Sequence, residues 1–380
     1  MSNFLLPKNN IINKQIRFSL DDDISSINIS IIRYYSNYYN EINKLLLEKS
    51  NTCFYNYENI IKIINPYESI FSTIPGTKNS VSKLKTKSLL FYDLIEINNS
   101  LDLFGSFGSG FYKNKNLDIL NISPKNEDFS YYLEMMIENK VNTISYSKLS
   151  IENFKLINNK YDFIYFEEII NPDTDVKSYI NTLIKALFLI FNYQCDEGSC
   201  LIKIDNIFYK PVIELLYLFS SFFEKVYIIK PTTTNMATSE KYIVCKNFIS
   251  KNVVKINETT SIEKILNEYS NYLSTHDNQV ITSILDKEIP YYFLNKIHDL
   301  NSILVQQQLE TMEQLMNLLK SKNKEDKIEL LKKNNIQKSV LWCEKFKIPY
   351  NKFTEKTNIF LNIVKENLEE SESYLENKEE

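Results

Sequence analysis

Gly198–Pro231, GSCLIKIDNIFYKPVIELLYLFSSFFEKVYIIKP, reads as a strand at Cys200–Ile204, a helix at Lys210–Phe223 and a second strand at Lys225–Ile229. Short apolar runs on either side of a segment with apolar residues at helical spacing are the pattern of a parallel strand–helix–strand unit. Working outward, the same alternation continues. Leu117–Ile122 and Tyr161–Phe166 read as strands, and Phe129–Asn139 and Val176–Asn192 as helices. Lys241–Phe248 reads as a final strand reached without a helical crossover, which predicts one antiparallel edge strand on an otherwise mostly parallel sheet. The expected class is α/β, with helices on both faces and ligands bound beyond the carboxyl ends of the strands.

The chain has 380 residues, which predicts a main folded unit with appendages. Residues 1–80 are expected to form an N-terminal extension with a helix over Ile31–Lys49, 81–255 the sheet domain, and 256–380 a helical C-terminal region. That last region holds an amphipathic Gln306–Lys320 and a charged tail. Hydrophobic residues at 43% and aromatics at 13% exclude a disordered chain. A net charge of -4 excludes a global basic field, so contact with nucleic acid has to be local. Lys225, Lys230, Lys241 and Lys246, around the closing strands, are candidates for phosphate contacts.

Five cysteines without CxxC spacing argue against a disulfide framework and for a reducing compartment. No apolar run reaches the roughly 20 residues that cross a bilayer, and none near Met1 reads as a signal peptide, so an intracellular protein without a membrane partner is expected. With only His276 and His298, and no cysteine cluster, a zinc site has little support, and no GxxxxGK[ST] loop is present.

Three of the five glycines, Gly105, Gly108 and Gly110, fall within six residues. They follow Ser100–Phe104, which reads as a short strand, and a glycine-rich loop there would let a ligand approach the backbone closely.

The block Gly198–Ile204, then Glu224–Thr232 (EKVYIIKPT), then Thr238–Phe248 (TSEKYIVCKNF), closely resembles the FtsJ-like methyltransferases, in particular those that methylate the first-nucleotide ribose of capped mRNA. Ser80–Lys85 through Leu94–Ile97 is similar to the helix before that family's cofactor loop. Ile336–Lys338 and Trp342–Lys345 look like a tail found in large DNA virus members. The resemblance implies a Rossmann-like methyltransferase sheet, S-adenosylmethionine (SAM) as cofactor, and RNA, capped mRNA above all, as partner.

It also implies site residues. The family sets a Lys-Asp-Lys-Glu tetrad around the reacting hydroxyl. Lys203, at a strand end, matches as the base, and Glu240, opening the last strand, as its tuning carboxylate. Glu167 stands where the family has aspartate. Asp93 stands where it has the first lysine, so Lys87, or Lys85, is the expected replacement, one to two turns earlier on the presumed helix. In the place of the cofactor loop lie Asp102, Gly105, Ser106 and Gly108, with Phe107 for the family's proline and Ser109 for its second glycine. Asn121 is the residue placed to hydrogen-bond the cofactor ribose, or else to cap the segment that follows it. A lysine works as a base near neutrality only when burial or neighbouring cations lower its ordinary value of ~10.4. A second function class stays open: a catalytically inactive methyltransferase fold kept for RNA binding or subunit docking, with the C-terminal helices from about 285 as the interface.

Overall fold

The computed structural model describes residues 1–9, 16–21, 25–48, 57–74, 77–104, 116–137, 140–148, 157, 159–168, 170, 175–249, 280–321 and 324–351. They group into two compact units, Met1–Lys44 with Leu90–Glu313, and Leu45–Leu89 with Gln314–Glu380, a division that cuts across the three segments read from sequence.

In chain order the strands are β1 (Ser2–Leu5), β2 (Ile16–Asp21), β3 (Leu117–Ile122), β4 (Val141–Tyr146), β5 (Tyr161–Phe166), β6 (Gln194–Ile204), β7 (Phe223–Lys230), β8 (Lys241–Phe248) and β9 (Val280–Leu285). Seven of them form one mixed sheet, ordered β1-β7-β8-β6-β5-β3-β4, and β2 pairs with β9 in a two-stranded sheet. The pairs β4/β3, β3/β5 and β5/β6 are parallel, and β8 is antiparallel to both β6 and β7.

The expected antiparallel edge strand is corrected by this order. The crossover from β6 carries the chain one place beyond its neighbour, and β8 returns through the 231–240 connection to fill the gap. The antiparallel strand is therefore internal, with Lys203 opposite Tyr242 and Ile229 opposite the same tyrosine. The antiparallel edge is β1, paired with β7 as Ser2↔Lys230 to Leu5↔Tyr227.

The helices are α1 (Ile29–Glu48), α2 (Tyr57–Ile64), α3 (Leu90–Leu101), α4 (Asn126–Met136), α5 (Val176–Tyr193), α6 (Lys210–Phe222), α7 (Tyr291–Lys320) and α8 (Lys324–Lys345). Strand β5, YDFIYF, is buried at every position, as a central strand with both faces covered must be. One face of the sheet packs Leu120, Ile164, Ile202 and Val226 against α5 and α6. Helix α5 starts where Asp175 accepts a hydrogen bond from the Ser178 amide at 2.9 Å, a side-chain cap on an otherwise unpaired donor. The opposite face is aromatic. Phe129 of α4 stacks on Tyr165 at 4.7 Å between ring centroids, and Phe104 lies 4.6 Å from Phe163.

The expected strand at Ser100–Phe104 is not one. Helix α3 continues to Leu101, because its apolar face stays buried through Ile97. It ends where Asp102 adopts φ 48°, a left-handed conformation that stops a helix, and the Asn98 side-chain oxygen accepts the Leu103 and Phe104 amides. Strand β9 likewise replaces the helix expected there. It is held by Glu214 of α6, whose buried carboxylate accepts the Ser283 hydroxyl at 2.9 Å and the Ile284 and Leu285 amides. Glu214→Ala strands those donors away from water. It is expected to lower unfolding free energy by about 2 kcal/mol in denaturant titrations, with Glu214→Gln losing less.

In the second unit, α8 meets the end of α2 and the segment after it. The Asn335 amide donates to the Ile63 carbonyl at 2.9 Å and the Ser339 hydroxyl to that of Pro66 at 3.2 Å. Among the described residues no helix is long and apolar enough to cross a membrane, and no group of three or more His, Cys, Asp or Glu could hold a metal ion.

Candidate active site

Three strand ends converge in the first unit. Strand β3 runs out at Ile122 into Ser123, β5 at Phe166 into Glu167, and β6 presents Lys203 one residue before its last. The Glu167 amide donates to the Ile122 carbonyl at 2.8 Å, tying the first two ends together. The antiparallel β8 begins at Lys241 beside Ile204, which sets Glu240 at the same edge.

The side chains form a continuous chain of charge. The Lys203 Nζ lies 3.3 Å from Glu167 Oε1 and 3.1 Å from Glu240 Oε2. The Lys125 Nζ, from the turn between β3 and α4, reaches the same Glu167 Oε1 at 3.3 Å. The other oxygen of Glu167 accepts the Tyr165 hydroxyl at 2.7 Å and the Ser123 hydroxyl at 3.1 Å. Glu167 is almost wholly buried, Lys203 is 12% exposed, Lys125 33% and Glu240 42%. The expected trio Lys203, Glu167 and Glu240 is thus brought together. The extra methylene of Glu167 is accommodated by four donors on its two oxygens.

A second layer supports the first. Asp93 of α3 is buried and accepts hydrogen bonds from the Tyr242 hydroxyl at 2.9 Å and from the Thr233 hydroxyl. Three residues along the same helix, Glu96 accepts the Thr232 amide at 2.6 Å and the Thr232 hydroxyl. Positions three apart share a helix face, so both acids grip the 231–240 connection that carries Glu240. From the strand ends that flank that connection, Lys230 donates to the Thr238 carbonyl, and Lys241 donates to the carbonyls of Asp205 and Ser239.

Electrostatics follow from these contacts. Burial alone would lower the Lys203 pKa, but the charges of Glu240, Glu167 and Asp93 outweigh it and raise it above the ordinary lysine value. Burial would raise Glu167 and Glu240. Lys203 and then Lys125 reverse this, so both stay ionised below the usual carboxylate range. Asp93 is pushed up to about 7 by burial, against its two hydroxyl donors and the charge of Lys203. Burial brings Lys230 down to about 7 and Lys241 down to about 8.

Other expected residues fare differently. Lys87 and Lys85 belong to the second unit and are exposed in a non-helical segment before α3, not on a helix as expected. Lys125 was missed. Its start-of-helix position is legible in Ser123-Pro124 after a strand and Asn126-Glu127-Asp128 after it, acids suiting a first turn. Gly105, Ser106 and Gly108 lie outside the described residues. Asp102 ends α3, and its carbonyl accepts from Lys246 at 3.3 Å. Asn121 caps nothing. It is fully buried on β3, its amide donates to the Ser145 hydroxyl at 3.4 Å, and its Oδ1 has no partner among the described residues. Of the lysines read as phosphate contacts, Lys230, Lys241 and Lys246 are spent on carbonyls of the chain itself, whereas Lys225 is exposed.

Residues 138–248 match the model of the FtsJ-like methyltransferase family. An uncharacterized protein of Acanthamoeba polyphaga mimivirus is 22% identical over 233 residues, 61% of this chain and 58% of that protein. Cap-specific mRNA (nucleoside-2′-O-)-methyltransferase 2 of Drosophila melanogaster is 23% identical over 32% of this chain, and cap-specific mRNA (nucleoside-2′-O-)-methyltransferase 1 of Dictyostelium discoideum 29% over 30%. The matched stretches span 17% and 14% of those two enzymes. A crystal structure of a putative ribosomal RNA methyltransferase from Plasmodium falciparum is 20% identical, with a TM-score of 0.33, over 43% of this chain and 98% of that one.

Proposed function

We propose that this chain is a SAM-dependent methyltransferase that modifies a ribose 2′-hydroxyl of RNA, with the capped end of mRNA as the acceptor. The observation that carries the reading is the convergence of Lys203 with Glu167 and Glu240 at the carboxyl edge of the sheet. That is where open α/β sheets bind ligands.

The residues present suit a sulfonium nucleoside. Two ionised carboxylates make an anionic wall for a cation, and the unpartnered Asn121 Oδ1 is a buried acceptor for a hydroxyl. Bound SAM would supply an electrophilic methyl group with a neutral thioether as its leaving group. Glu167 and Glu240 orient the Lys203 amine, and Lys203 takes the ribose proton as the oxygen attacks. The proton leaves Lys203 more readily while a second cation, Lys125 or the donor, lies beside Glu167, since a like charge disfavours the ammonium.

A second reading, an inactive fold kept as a docking or RNA-binding module, is favoured by one observation. Three carboxylates hold Lys203 protonated where the family's first lysine would oppose them, because Asp93 occupies that position. Transfer of a labelled methyl group from SAM to capped and uncapped RNA of one sequence decides between the two. Label in the ribose of capped RNA alone supports the cap reading, equal label in both removes the cap, and none in either supports the module.

A further inference from the structure

We infer that Lys125 is a built-in cation that stands at Glu167 in place of the cationic methyl donor, and that the donor enters by displacing this ammonium. The inference rests on the methyltransferase reading. Lys125 lies in the turn after β3, at the ligand end of the sheet. Its backbone is fixed, since its amide donates to the Ser123 hydroxyl at 3.0 Å and that hydroxyl donates to Glu167 at 3.1 Å. Its side chain is not fixed in the same way. Among the described residues the ammonium makes a single ion pair, to Glu167 Oε1, at 33% exposure. Lys203 is 12% exposed and is held by Glu240 as well.

Of the two cations on Glu167, Lys125 is therefore the outer and more weakly held. The Lys125 end of its pair is a third exposed, and a lysine stem turns freely. When Lys125 swings out, Glu167 keeps Lys203, Tyr165 and Ser123 as donors, and its Oε1 is left with Lys203 alone. A sulfonium restores the lost charge there. The neutral thioether left after transfer does not, so the ammonium returns to Glu167 with the product still in place.

The test compares SAM with S-adenosylhomocysteine, the same nucleoside without the positive charge, by calorimetry on the full chain at low salt. Lys125→Met is expected to bind SAM about fivefold more tightly than the native protein, with S-adenosylhomocysteine changing by less than about twofold. Lys125→Gln, a second neutral variant, is expected to follow Met, and Lys125→Arg to follow the native protein. Unchanged or weaker SAM binding in both neutral variants would overturn the role of Lys125 and leave the methyltransferase reading standing. Failure of the native protein and all variants to bind either nucleoside would overturn both. A gain of equal size for the two nucleosides would overturn the charge argument.

Discussion

Lys203→Arg is expected to leave a folded protein whose methyl transfer is at least ~100-fold slower, the lower end of what a positioned general base contributes. Arginine keeps the positive charge between Glu167 and Glu240, so the buried carboxylate retains a partner and the melting temperature should move little. It cannot give up its proton at any working pH, so the base is lost while the ion pair is kept. Lys203→Ala should be as inactive and also less stable, because it leaves Glu167, ionised and almost wholly buried, with only Lys125 to oppose its charge. A Lys203→Arg protein with native activity would show that the residue serves as a fixed cation and not as a base. The same electrostatics set the pH profile. The carboxylates raise Lys203 above the ordinary lysine value, so native activity should climb as pH rises into the alkaline range.

How much of this was legible in the sequence depends on what each signal rests on. Strands β3, β5, β6 and β7 were found because they are buried on both faces and so read as unbroken apolar runs between helical periods. Strands β1, β4 and β9 were not. Strand β1 has four residues with only half of them facing in, β4 is mostly exposed, and β9 is defined by the Glu214 carboxylate of a helix distant in sequence. None of these leaves a period to read. SLDLF at 100–104 misled in the opposite sense, since its apolar residues close a buried helix and its turn, and alternation over five residues cannot distinguish that from a strand.

The site divides along the same line. Lys203 lies near the end of β6 and Glu240 just before its antiparallel neighbour β8, both within the one stretch, Gly198–Phe248, that carries the resemblance. Lys125 lies far upstream, and its local sequence marks the start of a helix but not a partner for Glu167. Only the parallel pairing of β3 with β5 brings its turn to Glu167.

Asp93→Asn is expected to raise stability above pH 7 by roughly 2–4 kcal/mol and to remove a pH dependence that the native protein shows below that point. Burial lifts the Asp93 carboxyl from 3.8 to about 7, so between those values the folded chain holds a proton that the unfolded chain has lost. Stability from this group is complete below about pH 4, falls as pH rises, and is gone above about pH 7. Lys230 and Lys241 act in another window and with the opposite sign. Their folded values near 7 and 8 lie below the 10.5 of a free lysine, so stability from them rises with pH above neutrality. The difference between native and variant unfolding curves across pH 4–9 therefore isolates Asp93. Asparagine keeps an acceptor for one of the two hydroxyls, which bind different oxygens of Asp93, and turns an amide donor to the other, while removing one of the three charges that hold Lys203 protonated. The alkaline limb of methyl transfer should move to lower pH in the same variant. Parallel stability curves for the two proteins would show that Asp93 is ionised throughout, and an unmoved alkaline limb would show that it does not govern Lys203. On the proposed reading, the buried acid of α3 thus sets the pH at which the base becomes free.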